Sequence, residues 1–183
     1  MGVVLASVGL SGVGKSQAVS IVSVWLNFEV VYFGGVVLEE VRARGLDVTP
    51  SNEALVREEL RREFGMAVMA LKTLPRILGA SGPVLIDGLY SQSEYILLKG
   101  HLGDRLKTIA IHSDKSVRAE RLGRRPVRPL TLAEMEIRDE QEIGRLEKAP
   151  PIVLADFHVL NNGDLDGLAA GLRYCLERLS IVS

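Results

Sequence analysis

The stretch "GLSGVGKS", Gly9 to Ser16, follows the apolar run "VVLASV" at 3–8 and leads into an amphipathic segment from Gln17 to Leu26. Gly9-x-x-x-x-Gly14-Lys15-Ser16 has the spacing of a phosphate loop, in the strand–loop–helix context that the pattern requires. Glycines at 9, 12 and 14 let the backbone wrap with its N–H groups inward, and those donors, with a helix N-terminus, form an anion site. Gly9, Gly12, Val13, Gly14, Lys15, Ser16 and Gln17 are the candidate nucleotide-binding residues. Lys15 is expected on the β- and γ-phosphates and the Ser16 hydroxyl on Mg²⁺. The bland alternative, a glycine-rich turn beside a lysine, leaves the flanking strand and helix unexplained.

Outward from the loop, further strand-length apolar runs stand at 29–33 ("EVVYF"), 83–88 ("PVLIDG"), 106–112 ("LKTIAIH") and 156–160 ("DFHVL"). Such runs, alternating with helical patterns, predict a parallel sheet covered on both faces, a doubly wound α/β fold. The helix signals agree. Thr49-Pro50-Ser51 precedes a helical pattern to Phe64, and Gly65 interrupts it before "MAVMALKTLPRIL". Ser113 or Asp114 is placed to cap the helix of Arg118 and Arg121, and Thr131 with Glu134 forms a capping box for a helix running toward Glu147. "APP" at 149–151 is expected to stop that helix, and Asp164 to cap the last one.

The chain of 183 residues is expected to form one unit, 1–183, around one sizeable core. Its net charge of -1 gives no global pull toward nucleic acid or an anionic membrane, and one Trp, four Tyr and four Phe supply no stacking surface for single strands. The single Cys175 excludes an internal disulfide or a cysteine metal cluster. "MGVVLASVGL" lacks a basic leader and "SIVSVWLNF" is short of a membrane span, so the expectation is a cytoplasmic protein. His101, His112 and His158 fall on separate elements without ligand spacing.

Asp87 ends "PVLID", where a carboxylate beside a phosphate loop is placed to hold Mg²⁺; capping the turn at Gly88 is the other reading. Arg118, Arg121, Arg124, Arg125 and Arg128 put five arginines in eleven residues, stiffened by Pro126 and Pro129. Guanidinium groups fork onto phosphate oxygens, so this segment is expected to be a mobile lid, against the alternative of a basic face paired with Glu134, Glu136, Asp139, Glu140 and Glu142. Arg138 is placed to reach back toward the phosphates, or to pair with Asp139.

"GLSGVGKS", "RARGLDVTPSN", "ELRREFG", "LIDG", "AIHSDKSVRAERL", "RDEQE" and "LADFHVLNNGDLDGL", in this order over nearly the whole chain, resemble the dephospho-CoA-kinase-like and adenylate-kinase-like phosphate-loop proteins, above all a mainly archaeal group of nucleotide-kinase-like proteins. The resemblance implies a five-stranded parallel sheet in the order 2-3-1-4-5, with a core of 1–117 and 147–183 and a short arginine lid at about 118–146. It also implies ATP and Mg²⁺ as cofactors, a small-molecule acceptor bound between the second strand and the helices after it, and adenine near Asn161. The Asn161-Asn162-Gly163 turn suits base contacts and equally suits a tight turn.

The chain departs from this family on the acceptor side. Gly34-Gly35-Val36-Val37-Leu38 stands where the family has an acid and an arginine, and Tyr90 stands where an arginine is often found after "IDG". Arg61 keeps the family's arginine, so Arg61, Tyr90 and Leu38 are the acceptor-side candidates. Without an acid at Gly35, only Asp87 or Glu39 is left as a base for an alcohol acceptor. The reading is an ATP-dependent phosphotransferase in which Lys15, Asp87, Arg124, Arg128 and Arg138 act on the transferring phosphoryl group. Its alternative is a kinase-derived nucleotide-binding regulator or slow ATPase. A GTPase switch is weaker, because no guanine-specifying Asn-Lys-x-Asp stretch is present.

Overall fold

The five apolar runs become the five strands of one parallel sheet in the computed structural model, which describes residues 2–181. In chain order the elements are β1 (Val4–Val8), α1 (Lys15–Trp25), β2 (Glu29–Tyr32), α2 (Gly34–Ala43), α3 (Pro50–Phe64), α4 (Val68–Gly79) and β3 (Val84–Asp87). They continue with α5 (Gln92–Leu102), a 3₁₀ turn at Gly103–Arg105, β4 (Leu106–His112), α6 (Lys115–Gly123), α7 (Leu132–Gly144), α8 (Ala149–Val153), β5 (Phe157–Leu160) and α9 (Leu165–Arg178). The spatial order is β2-β3-β1-β4-β5, with every pairing parallel.

The period-two alternation of β1 divides the core into two layers. Val4, Ala6 and Val8 pack on one face with buried residues of α2 to α5, among them Val37, Leu60, Ile77 and Leu98. Leu5 faces the other layer, where α1 and α9 contribute Val22, Leu172 and the buried Cys175. With both faces covered, the inner strands are mostly apolar, the pattern that marked them in the sequence. All five residues of β1 are buried.

The capping signals hold at α3, α7 and α9 and fail at α6, where Asp114 is the N-cap residue but makes no side-chain capping bond and the Ser113 hydroxyl is turned to the Asn161 carbonyl. The Thr49 side chain accepts from Asn52 N–H at the start of α3, Thr131 and Glu134 form a full capping box on α7, and Asp164 accepts from Gly167 N–H on α9. Helix α7, expected to run toward Glu147, ends at Gly144. "APP", expected to stop that helix, instead opens the short α8, because a proline's missing N–H is an orphan in a first helical turn anyway. This turn brings Lys148 inward, with consequences for the site.

Candidate active site

Strand order reverses around β1, flanked by β3 and β4, so the carboxyl ends of these three strands open the crevice in which such folds bind ligands. The phosphate loop leaves β1 there. Gly9, Gly12 and Gly14 have φ of 145°, 86° and 96°, in the region that side chains disfavour. The loop is also hemmed in: a Cβ at Gly14 would lie 2.4 Å from Asn161 Nδ2, and one at Gly9 would lie 2.5 Å from the Ile111 carbonyl oxygen. Glycine is therefore required twice over, by backbone angle and by space.

Lys15 opens α1 and folds back over the loop, its Nζ donating to the carbonyls of Gly9 (2.8 Å) and Leu10 (2.9 Å). Burial, and then the neighbouring Lys148 ammonium, push Lys15 down to about 7 against the attraction of the Glu142 and Asp87 carboxylates. Ser16 and Gln17 are exposed in the first turn of α1. Asp87, at the end of β3, is half-buried, and burial raises its pKa while Lys15 lowers it. Ser16, next to Lys15 in the chain, and Asp87, whose carboxyl feels Lys15, carry hard oxygen donors, the donor type that Mg²⁺ takes.

The arginines separate into different environments. Arg118 is buried; its Nε donates to the Ser11 carbonyl at 2.8 Å and its other end pairs with Asp139. Asp139 thus serves Arg118 and not Arg138, whose Nε meets Glu142 Oε1 at 3.2 Å. Arg121 donates to the carbonyls of Asn161 (2.8 Å) and Gly163 (3.3 Å). Asn161 is itself buried, with Nδ2 on the Val13 carbonyl at 2.8 Å, so this turn clamps the phosphate loop from the end of β5. Arg124 lies on the outer surface, paired one turn back with Glu120 at 2.7 Å. Arg128, at φ 57°, reaches Glu53 at 3.3 Å and so spans from the loop before α7 to α3. Arg125 is exposed and feels Arg138 and Glu142.

At the centre of this arrangement is Glu142. Its carboxylate accepts from Ser11 N–H (3.2 Å), the Ser11 hydroxyl (2.7 Å), Arg138 Nε (3.2 Å) and Lys148 Nζ (2.9 Å). Burial pushes the Glu142 carboxyl up, but the Lys148 ammonium, the Ser11 hydroxyl and Arg138 overcome it and hold the group at about 2. Lys148 is only 1% exposed, and its Nζ lies 5.1 Å from the centroid of the Tyr90 ring.

Two tyrosines, Tyr32 and Tyr90, lie near Asp87. The Tyr90 ring lies against Gly88, where a Cβ would come within 2.5 Å of it, and the Tyr32 ring lies against Gly34, where a Cβ would come within 2.3 Å. Each ring feels Asp87, and burial pushes both hydroxyls up. Behind Tyr90, Glu94 accepts from the N–H groups of Tyr90 (2.7 Å) and Ser91 (3.0 Å) through Oε2. Burial raises Glu94 to about 7, opposed by those two bonds and by Arg61. Leu38 is half-buried on α2. Glu39, the second candidate base, is exposed and lines a groove along β2, the edge strand, with Tyr32, Glu40, Lys72 and Arg76.

Residues 8–143 match the family described as an AAA domain. A UPF0200 protein of Aeropyrum pernix is 37% identical over 166 residues, covering 90% of this chain and 87% of its own. One from Methanoculleus marisnigri is 34% identical over 180 residues, covering 96% of each. The chain belongs to the UPF0200 family. Among solved structures, a shikimate kinase from Bacteroides thetaiotaomicron superposes with a TM-score of 0.62 at 16% identity, covering 97% of this chain and 98% of that one. A gluconokinase from Sinorhizobium meliloti gives 0.58 at 18% identity, with coverage of 98% and 95%. The fold of this UPF0200 chain is thus that of the phosphate-loop kinases, as its resemblance to a mainly archaeal kinase-like group implied.

Three residues of this UPF0200 site escape a linear reading. Glu142 looks like one acid among several on a charged helix, Lys148 like an ordinary charge before a proline turn, and Tyr32 like one more residue of an apolar strand. The available signals were Gly34 and Gly88, whose lack of a side chain makes room for the two rings. Nothing comparable marks Glu142 or Lys148 in the chain.

Proposed function

We propose that this protein is an ATP- and Mg²⁺-dependent phosphotransferase acting on a small acceptor that carries less charge than a nucleoside monophosphate. The observation that carries this reading is the phosphate loop with Lys15 and Asp87 together at its mouth, backed by the buried Glu142–Lys148 pair. The loop N–H groups and Lys15 would hold the triphosphate, and Ser16 and Asp87 would hold Mg²⁺. When bound, the metal supplies charge neutralisation on the phosphate oxygens. Arg125, Arg128 and Arg138 lie on or near the segment 118–146, which we propose closes over the site and excludes water.

The class of acceptor follows from the missing cations. An anionic acceptor entering a closed site needs fixed positive charge, and losing one charged hydrogen bond costs about 2 kcal/mol, roughly thirtyfold. Leu38 and Tyr90 stand where two arginines would serve that purpose. Lys148 is on hand, but it is bound to Glu142 beneath the Tyr90 ring. Those same departures favour the second reading, a nucleotide-binding regulator or slow ATPase, whereas the buried charges on the acceptor side give an acceptor something to bind.

A coupled assay of ADP release with ATP and Mg²⁺ tests the proposal. AMP, CMP and UMP are expected to stimulate weakly or not at all. A kcat/KM above about 10⁵ M⁻¹s⁻¹ for any of the three would show that other residues replace the arginines and that this acceptor class is wrong.

A further inference from the structure

The acceptor side contains a polar arrangement that the protein's own contacts leave incomplete. Glu94 is fully buried in the first turn of α5, and its Oε1 has no hydrogen-bond partner, although Oε2 is well used by the backbone at Tyr90 and Ser91. Arg61, on α3, has a buried Nε that is likewise unpartnered. The two groups attract each other, yet neither of these atoms has a hydrogen-bond partner among the described residues. Buried donors and acceptors are ordinarily paired, and each one left unmade costs about 1–3 kcal/mol. An acceptor atom and a donor atom are thus both unpaired in one charged neighbourhood, where Glu94 feels Arg61 and Lys148 and holds the Tyr90 backbone.

We propose that Glu94 Oε1 and Arg61 Nε read a hydroxyl group of the phosphate acceptor, the hydroxyl donating to the carboxylate and accepting from the guanidinium. The inference rests on the phosphotransferase reading above and narrows its acceptor to a neutral or singly charged polyol or sugar-like compound. A hydroxyl is the smallest group that satisfies both atoms at once, since it carries one donor and two acceptor lone pairs. A phosphate dianion would satisfy Arg61 and be repelled by Glu94. The hydroxyl read here is one used for recognition; the one that receives phosphate lies nearer Lys15 and Asp87.

The test uses the full chain with ATP and Mg²⁺ and a panel of glycerol, pentoses, hexoses and sugar acids, with AMP, CMP and UMP alongside. At least one polyol or sugar is expected to accelerate ADP release tenfold or more. With that acceptor, Glu94→Gln should raise KM by about tenfold or more with a smaller change in kcat, because the amide oxygen still accepts from Tyr90 and Ser91 while the other atom has the wrong polarity. The double variant Arg61→Met with Glu94→Gln is expected to keep its Tm within about 3 °C of the wild type, since Arg61 Nε and Glu94 Oε1 make no hydrogen bond that the substitutions could break. A structural ion pair would instead make Tm fall by about 5 °C or more, and that result overturns the proposal. Preferential stimulation by a monophosphate, or ATP binding with no stimulation by any polyol or sugar, also overturns it. The last of these leaves the nucleotide site standing, whereas failure to bind ATP at all brings down both readings.

Discussion

Replacing Glu142 with Gln removes one negative charge and keeps the shape of the side chain. The carboxylate is held at about 2, against an ordinary value of 4.5, by Lys148, Ser11 and Arg138 after burial has pushed the other way. That depression corresponds to about 3 kcal/mol of stability, in line with the roughly 3–5 kcal/mol lost when one partner of a buried ion pair is removed. The side chain is 8% exposed and Lys148 is 1% exposed, so solvent screening takes little from the figure. Because the folded-state pKa lies below the unfolded one, the contribution is fully present above about pH 5 and is lost as pH falls toward 2. Glu142→Gln should therefore lower Tm by about 6–12 °C at pH 7 for a chain of this size, and the gap from wild type should narrow steadily in melts taken from pH 5 to pH 3. A variant within about 1 kcal/mol of wild type at pH 7, or a gap that widens in acid, would refute the argument that Glu142 is the charged hub joining α7, α8 and the phosphate loop.

Other outcomes follow from single distances. Gly14→Ala puts a Cβ 2.4 Å from Asn161 Nδ2 at a φ of 96°, and should weaken Mg·ATP binding by about tenfold or more in calorimetry, while Gly79→Ala, with open space around it, should leave binding unchanged. Arg124→Ala removes an exposed pair with Glu120 and should leave ADP release within about twofold of wild type, whereas Arg138→Ala, which strips a partner from Glu142, should lower it by about tenfold or more. Equal effects of the two arginines on steady-state rates would return the segment to a uniform basic surface.

The fold was legible because its signals are local or periodic. A phosphate loop between a strand and a helix, four more apolar runs of strand length, and capping residues such as Thr49, Thr131 and Asp164 each declare themselves within a few positions. The arginine segment was legible as a concentration of charge and not as a division of labour. Arg118, Arg121 and Arg124 differ only in what faces them across the fold: the Ser11 carbonyl, the Asn161 turn, or solvent. Those partners lie 107 and 40 residues away for the first two, beyond any spacing rule. Glu142 and Lys148 were hidden for the same reason, since burying a charge is a tertiary outcome and a helix rich in acids gives no sign of which one turns inward. Glu39 shows the converse, a candidate base chosen by its position after the second strand that the turn of α2 leaves exposed in a groove along the edge strand β2.

The loop from Gly9 to Ser16 is expected to hold a triphosphate through Lys15. Isothermal titration of Mg·ATP into the wild-type chain and into Lys15→Ala measures this directly. Saturable one-to-one binding by the wild type, with affinity reduced by at least about a hundredfold in the variant, is the expected result, since a fixed charge and the loop contacts it organises are lost together. Equal affinity in the two proteins, or no binding by the wild type, would contradict it.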